Sequence, residues 1–268
     1  MTKTSDFTAS TERFSNWLFG AAAPLWLERG WDEIHGGFVE ALDFNGAPIT
    51  ELPRRVRVQC RQIYFFDRLS RETGNAAASR RAQEGFEHLK AHAFPDGAEA
   101  GCAHILDPTG RILDRRRDLY DQAFVMLACA ERWRATGDES ALLLARQIRS
   151  FLDQTLASPH GGWREDDSGR LPRRQNPHMH LFEAFMALFD ATGDAAYRAD
   201  ADRLFALFQD RFFDHDNRVL REFFADDLSI APGAVGAIIE PGHMVEWVWL
   251  LDAYGSISGA DVAALQSA

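Results

Sequence analysis

The sequence predicts an all-α protein built from stacked helical hairpins, and three observations carry that prediction. Apolar residues recur at helical spacing along most of the chain, as in Phe14, Trp17, Leu18, Ala21 and Leu25. The same turn is written three times: Arg71-Glu72-Thr73-Gly74-Asn75, Arg134-Ala135-Thr136-Gly137-Asp138 and Asp190-Ala191-Thr192-Gly193-Asp194. Polar clusters stand at the start of every second helix.

The elements follow in order. Helices are predicted near residues 8–28, 54–70, 75–93, 118–135, 139–157, 177–191, 195–213 and 242–254, which makes four hairpins. In each turn the glycine suits the position just past a helix end, and the Asn or Asp after it caps the next helix. The threonines Thr73, Thr136 and Thr192 set a repeat of about two helices and a long turn, and such units bury their faces by stacking. The Gly- and Asp-rich stretches 36–40, 107–110 and 161–165 read as hairpins or turns between helices. Without a composition break to mark a linker, residues 1–268 read as one toroidal domain.

Alternate helices of a toroid form its inner ring, so their N-terminal ends converge on one mouth. The clusters placed there are Arg54, Arg55, Arg57, Gln59, Arg61 and Gln62; then Asp118, Tyr120, Asp121 and Gln122; then Asn176, His178, His180 and Glu183; and last His243 with Glu246. His243 and Glu246 lie three residues apart on one predicted helix, so the carboxylate is expected to hold the imidazole as a proton shuttle. Arg61 sits among Ile63, Tyr64, Phe65 and Phe66, where a guanidinium needs a partner or a ligand. His178 is expected to point elsewhere and to be structural. Trp247 and Trp249 are expected as core or pocket wall, and Trp247 joins the substrate-binding set on the second reading. This composite suits a small polyhydroxylated substrate. Phosphate loops, nucleotide glycine fingerprints and nucleophile elbows do not occur in it.

Net charge −11, with no basic block longer than Arg115-Arg116-Arg117, argues against a nucleic-acid partner, and an anionic substrate would need a local basic pocket. That arginine run reads as a solvated turn in preference to a phosphosugar site. Cys60, Cys102 and Cys129 are scattered in apolar surroundings and read as reduced core residues. The N-terminus has no apolar signal core and no apolar run spans a membrane, so a cytoplasmic protein with no membrane partner is expected. His178, His180, His243 and Glu246 lack tight metal-ligand spacing, so a metal is not expected.

At these residues the chain resembles the N-acylglucosamine 2-epimerase family, which includes cellobiose 2-epimerases and mannose and sulfoquinovose isomerases. The matching stretches are Val58–Gln62, Asp118–Phe124, Asn176–Ala184 and Glu240–Trp247, and their joint order is specific. The resemblance implies an (α/α)6 barrel and cofactor-free proton transfer at C1 and C2 of an open-chain sugar through an enediol. Under it Arg61 would bind oxygens near C1 and C2, Tyr120 and Asn176 would hold hydroxyls, and His180 would assist ring opening. His243 would shuttle the proton and Glu246 would orient it. Family members use a further histidine in the last third of the barrel.

Six such hairpins need about 350 residues, as the repeat length implies, whereas 268 are present. The expectation is therefore a barrel with four of six hairpins, either truncated, part of a longer reading frame, or self-associating through its open edge. Two further readings follow: a catalytically impaired remnant that only binds sugar, and a glycoside-processing enzyme using Glu183 and Glu246.

Overall fold

A computed structural model describes residues 2–266. The predicted helices are present, with boundaries shifted by a few residues. The first runs as α1 (Thr2–Trp17), a π-helical turn (Leu18–Ala22) and α2 (Ala23–Arg29). Then come α3 (Val56–Thr73), α4 (Ala76–His92), α5 (Leu119–Thr136), α6 (Glu139–Phe151), α7 (Gln175–Thr192), α8 (Ala195–Leu207) and α9 (Pro241–Ser258). α6 and α8 each continue into one π-helical turn, and a short α10 (Ala263–Gln266) follows α9.

The repeated turn closes itself. Thr73, Thr136 and Thr192 each donate their hydroxyl to the carbonyl four residues back, at 2.6, 2.8 and 2.7 Å. Each hydroxyl also accepts the N–H of the capping residue two positions on. Gly74, Gly137 and Gly193 between them have φ near +70°, a conformation that a side chain would strain. Asn75, Asp138 and Asp194 then accept N–H groups from the first turns of α4, α6 and α8. A fourth version ends α9, where Ser258 accepts the N–H of Ala260 and Asp261 accepts that of Ala263.

These turns send the chain up and down between two rims. α3, α5, α7 and α9 pack side by side as an inner arc, with α4, α6 and α8 outside them. α5 lies at the middle of the arc and is buried on nearly every face, from Leu119 to Arg132. The core joins the inner faces of both layers, with Phe66, Phe86, Phe182, Phe185 and Phe212 fully enclosed. α9 is mostly apolar, with His243 and Glu246 among its polar exceptions, and Val245, Val248 and Trp249 on one side of it remain exposed.

The opposite rim carries the long loops, which hold short antiparallel pairings: β1 (Arg54–Arg55) with β2 (Ile105–Leu106), and β2 with β3 (Ile112–Asp114). β4 (Arg173–Arg174) pairs with β7 (Phe223–Phe224), and β5 (Phe213–Asp214) with β6 (Val219–Leu220). Equivalent residues of successive units fasten the loops. Gln59 bonds the N–H and C=O of Phe38, Gln122 bonds those of Cys102, and His178 accepts the N–H of Trp163. His178 is thus structural; burial and the neighbouring Arg173 push its imidazole down to about 3. Arg54, Arg117 and Arg173 are likewise buried and donate to loop carbonyls of Gly36, Ala100 and Gly161. In the arginine run, Arg115 and Arg117 are tied to Asp96, so only Arg116 turns to the mouth.

Candidate active site

The inner helices bring four side chains to one level of the arc. Arg61, Phe124, His180 and Glu246 each stand twelve residues before their turn hydroxyl, at Thr73, Thr136, Thr192 and Ser258. Equal helical spacing from equal turns places them at equal height, which is why a repeat produces a site. Arg61 lies over the rings of Phe124, at 4.2 Å, and of Tyr120.

A chain of polar contacts runs across this level. Arg61 donates from Nη2 to the Tyr120 hydroxyl at 2.9 Å, and that hydroxyl bonds His180 Nε2 at 3.2 Å. His180 Nδ1 bonds Glu183 at 3.2 Å. A carboxylate only accepts, so the Nδ1 proton faces Glu183 and Nε2 takes the tyrosine proton. Arg61, Tyr120 and His180 thus meet as the sequence required.

His243 is arranged in the same way but with a different acid. Its Nδ1 donates to Glu222 Oε2 at 3.0 Å, and its Nε2 accepts from Asn176 Nδ2 at 2.9 Å. Glu222 is 3% exposed on its side chain and also accepts from Gln175. The hydrogen bond to Glu222 pushes the His243 pKa above its ordinary value, with charge from Glu222, Glu246 and Glu240 adding to the effect against partial burial. The expectation that Glu246 orients His243 is therefore corrected. Glu246 instead approaches His180 Nε2, at 4.0 Å, and is 40% exposed. Glu222 lies between strands, 21 residues from His243, and no helical spacing links them. Only the contact itself reveals it.

Trp247 also needs correction. It is 3% exposed, stacked between Phe208 at 4.2 Å and Phe182 at 5.4 Å, and donates its indole N–H to Gln175 at 2.9 Å. The ring belongs to the core, because this position of α9 faces Phe182 and Phe208. Two polar atoms at the site remain buried without a partner, Asn176 Oδ1 and Glu222 Oε1. The acceptor capacity of Asn176 Oδ1 is thus unused within the protein.

Sequence reading missed a third histidine of this kind. His104, in the loop before β2, bonds buried Asp121 from Nδ1 at 2.5 Å, and Asp121 also accepts from the backbone and guanidinium of Arg57. Burial raises the Asp121 pKa despite its partners. His104, Asp118 and Asp121 have ligand atoms within 4.8 Å of one another and form the one metal-compatible cluster among the described residues. With Arg57 at 3.3 Å from Asp121, the donor set already faces a cation of the protein's own.

Fold and site together define an arc of helical hairpins whose mouth carries two carboxylate-held histidines beside an arginine, a tyrosine and an asparagine. The N-acylglucosamine 2-epimerase family model matches residues 36–267, and the chain belongs to that family. It is 38% identical over 251 residues to a mannose-6-phosphate isomerase of Rhizobium meliloti, covering 92% of this chain and 64% of that protein. A D-mannose isomerase of Thermobifida fusca is 30% identical, with 88% and 63% covered. The solved cellobiose 2-epimerase of Spirochaeta thermophila superposes with a TM-score of 0.86 at 26% identity, covering 97% of this chain and 67% of that one. These matches bear out the resemblance and the (α/α)6-barrel class. The chain spans just under two thirds of the length of the two isomerases.

Proposed function

We propose that the chain acts as an aldose isomerase or 2-epimerase, transferring a proton between C1 and C2 of an open-chain sugar through an enediolate. One observation carries this reading: His243 has its proton fixed on Nδ1 by Glu222, which leaves the Nε2 lone pair directed at Asn176 in the mouth. That is the tautomer a general base needs.

In the proposed sequence a sugar hydroxyl binds Asn176, and its open-chain carbonyl lies toward Arg61. His243 Nε2 removes the proton from the carbon alpha to the carbonyl. The electron pair moves into a C1–C2 double bond, and the carbonyl oxygen gains the negative charge, which the Arg61 guanidinium stabilises. Glu222 stabilises the imidazolium formed. Return of the proton to the adjacent carbon, with an oxygen-to-oxygen proton shift, gives the ketose. Addition of a second proton to the original carbon from the opposite face gives the epimer. In this reading the Tyr120 hydroxyl proton passes through His180 Nε2 to the carbon, leaving a tyrosinate beside Arg61, and the proton held on His243 returns to that tyrosinate through solvent. Glu246 lies 4.0 Å from His180 Nε2, on the same side of the ring as the Tyr120 contact. Relatives named as isomerases and as 2-epimerases support this reading, since those names match the two outcomes of the step.

The test is proton exchange in deuterated water with mannose, glucose, N-acetylmannosamine and cellobiose, followed by NMR. Solvent label at C1 or C2 that disappears in His243→Ala is the expected result. A folded chain that binds these sugars but never incorporates label would instead be a binding protein, and the catalytic reading would fall.

A further inference from the structure

Next to this site lies a cavity of about 490 Å³ whose wall carries six arginines, Arg55, Arg57, Arg61, Arg116, Arg170 and Arg174, and only two carboxylates, Asp118 and Glu165. In a chain of net charge −11, that concentration is the opposite of the average surface. The wall also holds Asn176, the residue bonded to His243, so the cavity adjoins the proposed reacting centre.

Some of these cations are already neutralised. Arg55 pairs with Glu40, Arg174 with Glu165, and Arg57 with Asp121. Arg116 and Arg170 are not fully matched. Arg116 is mostly buried, pairs with the partly exposed Asp114 at 3.2 Å, lies close enough to Asp166 to help hold that carboxyl below its ordinary pKa, and keeps its Nε enclosed without any partner. Arg170 has its nearest carboxylate, Asp166, at 4.0 Å, and Asp166 uses its other oxygen on the N–H and hydroxyl of Ser168 and the N–H of Arg170. The N-terminal ends of α3, α5 and α7 point at the same wall, which adds partial positive charge.

We propose that Arg116 and Arg170 form a subsite for an acid group on the sugar, carried on a carbon remote from the carbonyl. This rests on the proposed sugar chemistry and names its substrate class: an acidic aldose, with a phosphate ester the best match because its oxygens accept from two guanidinium groups together. Asp114 and Asp166 are the carboxylates beside the two arginines, at 3.2 and 4.0 Å.

Calorimetric titration of the chain with mannose 6-phosphate, a 6-sulfonated hexose, a hexuronate and mannose tests this without requiring turnover. At 50 mM salt the 6-phosphate is expected to bind at least tenfold tighter than mannose, and the gap should narrow at 300 mM. The sulfonate and hexuronate arms show which acid the subsite prefers. Arg116→Ala should cost the phosphate ester about tenfold in Kd. Arg170→Glu, at a side chain 60% exposed and so harmless to packing, should abolish the preference. Equal binding of acidic and neutral sugars, no binding of any, or a preference that survives both substitutions would overturn the subsite. Label exchange into neutral mannose without an acid preference would remove this inference alone. An acid preference without label exchange would remove the catalytic reading alone.

Discussion

Replacing Glu222 by glutamine tests the His243 assignment most directly. Glutamine keeps the shape and, through its carbonyl oxygen, the acceptor for His243 Nδ1–H, but removes the negative charge 3.0 Å from the ring. A hydrogen bond to a charged group contributes about 1.5–3 kcal/mol, a neutral one about 0.5–1.5 kcal/mol. The difference, about 1 to 1.5 kcal/mol, is what the imidazolium formed during proton abstraction would lose. That corresponds to a fall in kcat of about tenfold. The same change removes the main cause of the raised His243 pKa, so the acid limb of the rate profile should move to lower pH. The base works only unprotonated, so wild-type activity rises with pH through the His243 pKa, and the variant should rise earlier. Glu246→Gln removes a carboxylate that does not bond His243 and should move that limb much less. The assay is label exchange at C2 between pH 5 and 9, alongside an NMR titration of the His243 ring. An unmoved limb in Glu222→Gln, or a larger shift in Glu246→Gln, would refute the assignment.

Other outcomes follow from the packing. Trp247→Ala should cost about 3–5 kcal/mol, because the indole fills the space between Phe208 and Phe182, and calorimetry should show Tm lower by on the order of 10 °C. Gly85→Ala sets two effects against each other: alanine favours helix by about 1 kcal/mol, but its Cβ would lie 2.4 Å from the Phe38 ring and 3.1 Å from Ile63. Phe38 is fully buried against Phe66 and cannot yield, so overpacking of about 1–3 kcal/mol should win and the denaturation midpoint should fall. His243 also enters the pH dependence of stability. Its folded pKa is raised, so its contribution is complete below the unfolded value of 6.5 and is lost as pH rises through the folded one. Urea midpoints compared between wild type and His243→Gln should therefore differ more below pH 6.5 than above the His243 pKa.

Helix number and order were legible because three nearly identical turns punctuate an unbroken helical period, and a Thr-Gly-Asn/Asp turn has one physical solution. Arg61, Tyr120, Asn176, His180 and His243 were legible for a related reason, since a repeat carries any residue at a fixed distance from its turn to the same rim. What escaped lay off the helices. Glu222 and His104 sit in irregular loops, where no period relates a side chain to its partner. Trp247 misled because three residues, Glu246, Trp247 and Val248, share one helix turn yet face the mouth, the core and the exterior in succession. For a mostly apolar helix, sequence period does not say which face looks inward.

The self-closing turns divide the molecule into a rim that repeats and a rim that varies. Each turn completes its hydrogen bonds within a few residues and asks nothing of the loops at the other end. The exposed positions of residues 31–53, 93–117, 157–172 and 213–240 can therefore vary while the arc of helices keeps its register, whereas Phe38, His104 and Glu222 within them stay with the helices they touch. Grafting mouth loops between members of the family is then a direct test of whether those loops set the proposed sugar preference. The prediction for an engineer is that such chimaeras lose little cooperativity of unfolding, provided the fastening contacts of Gln59, Gln122 and His178 are carried along with the loops they hold.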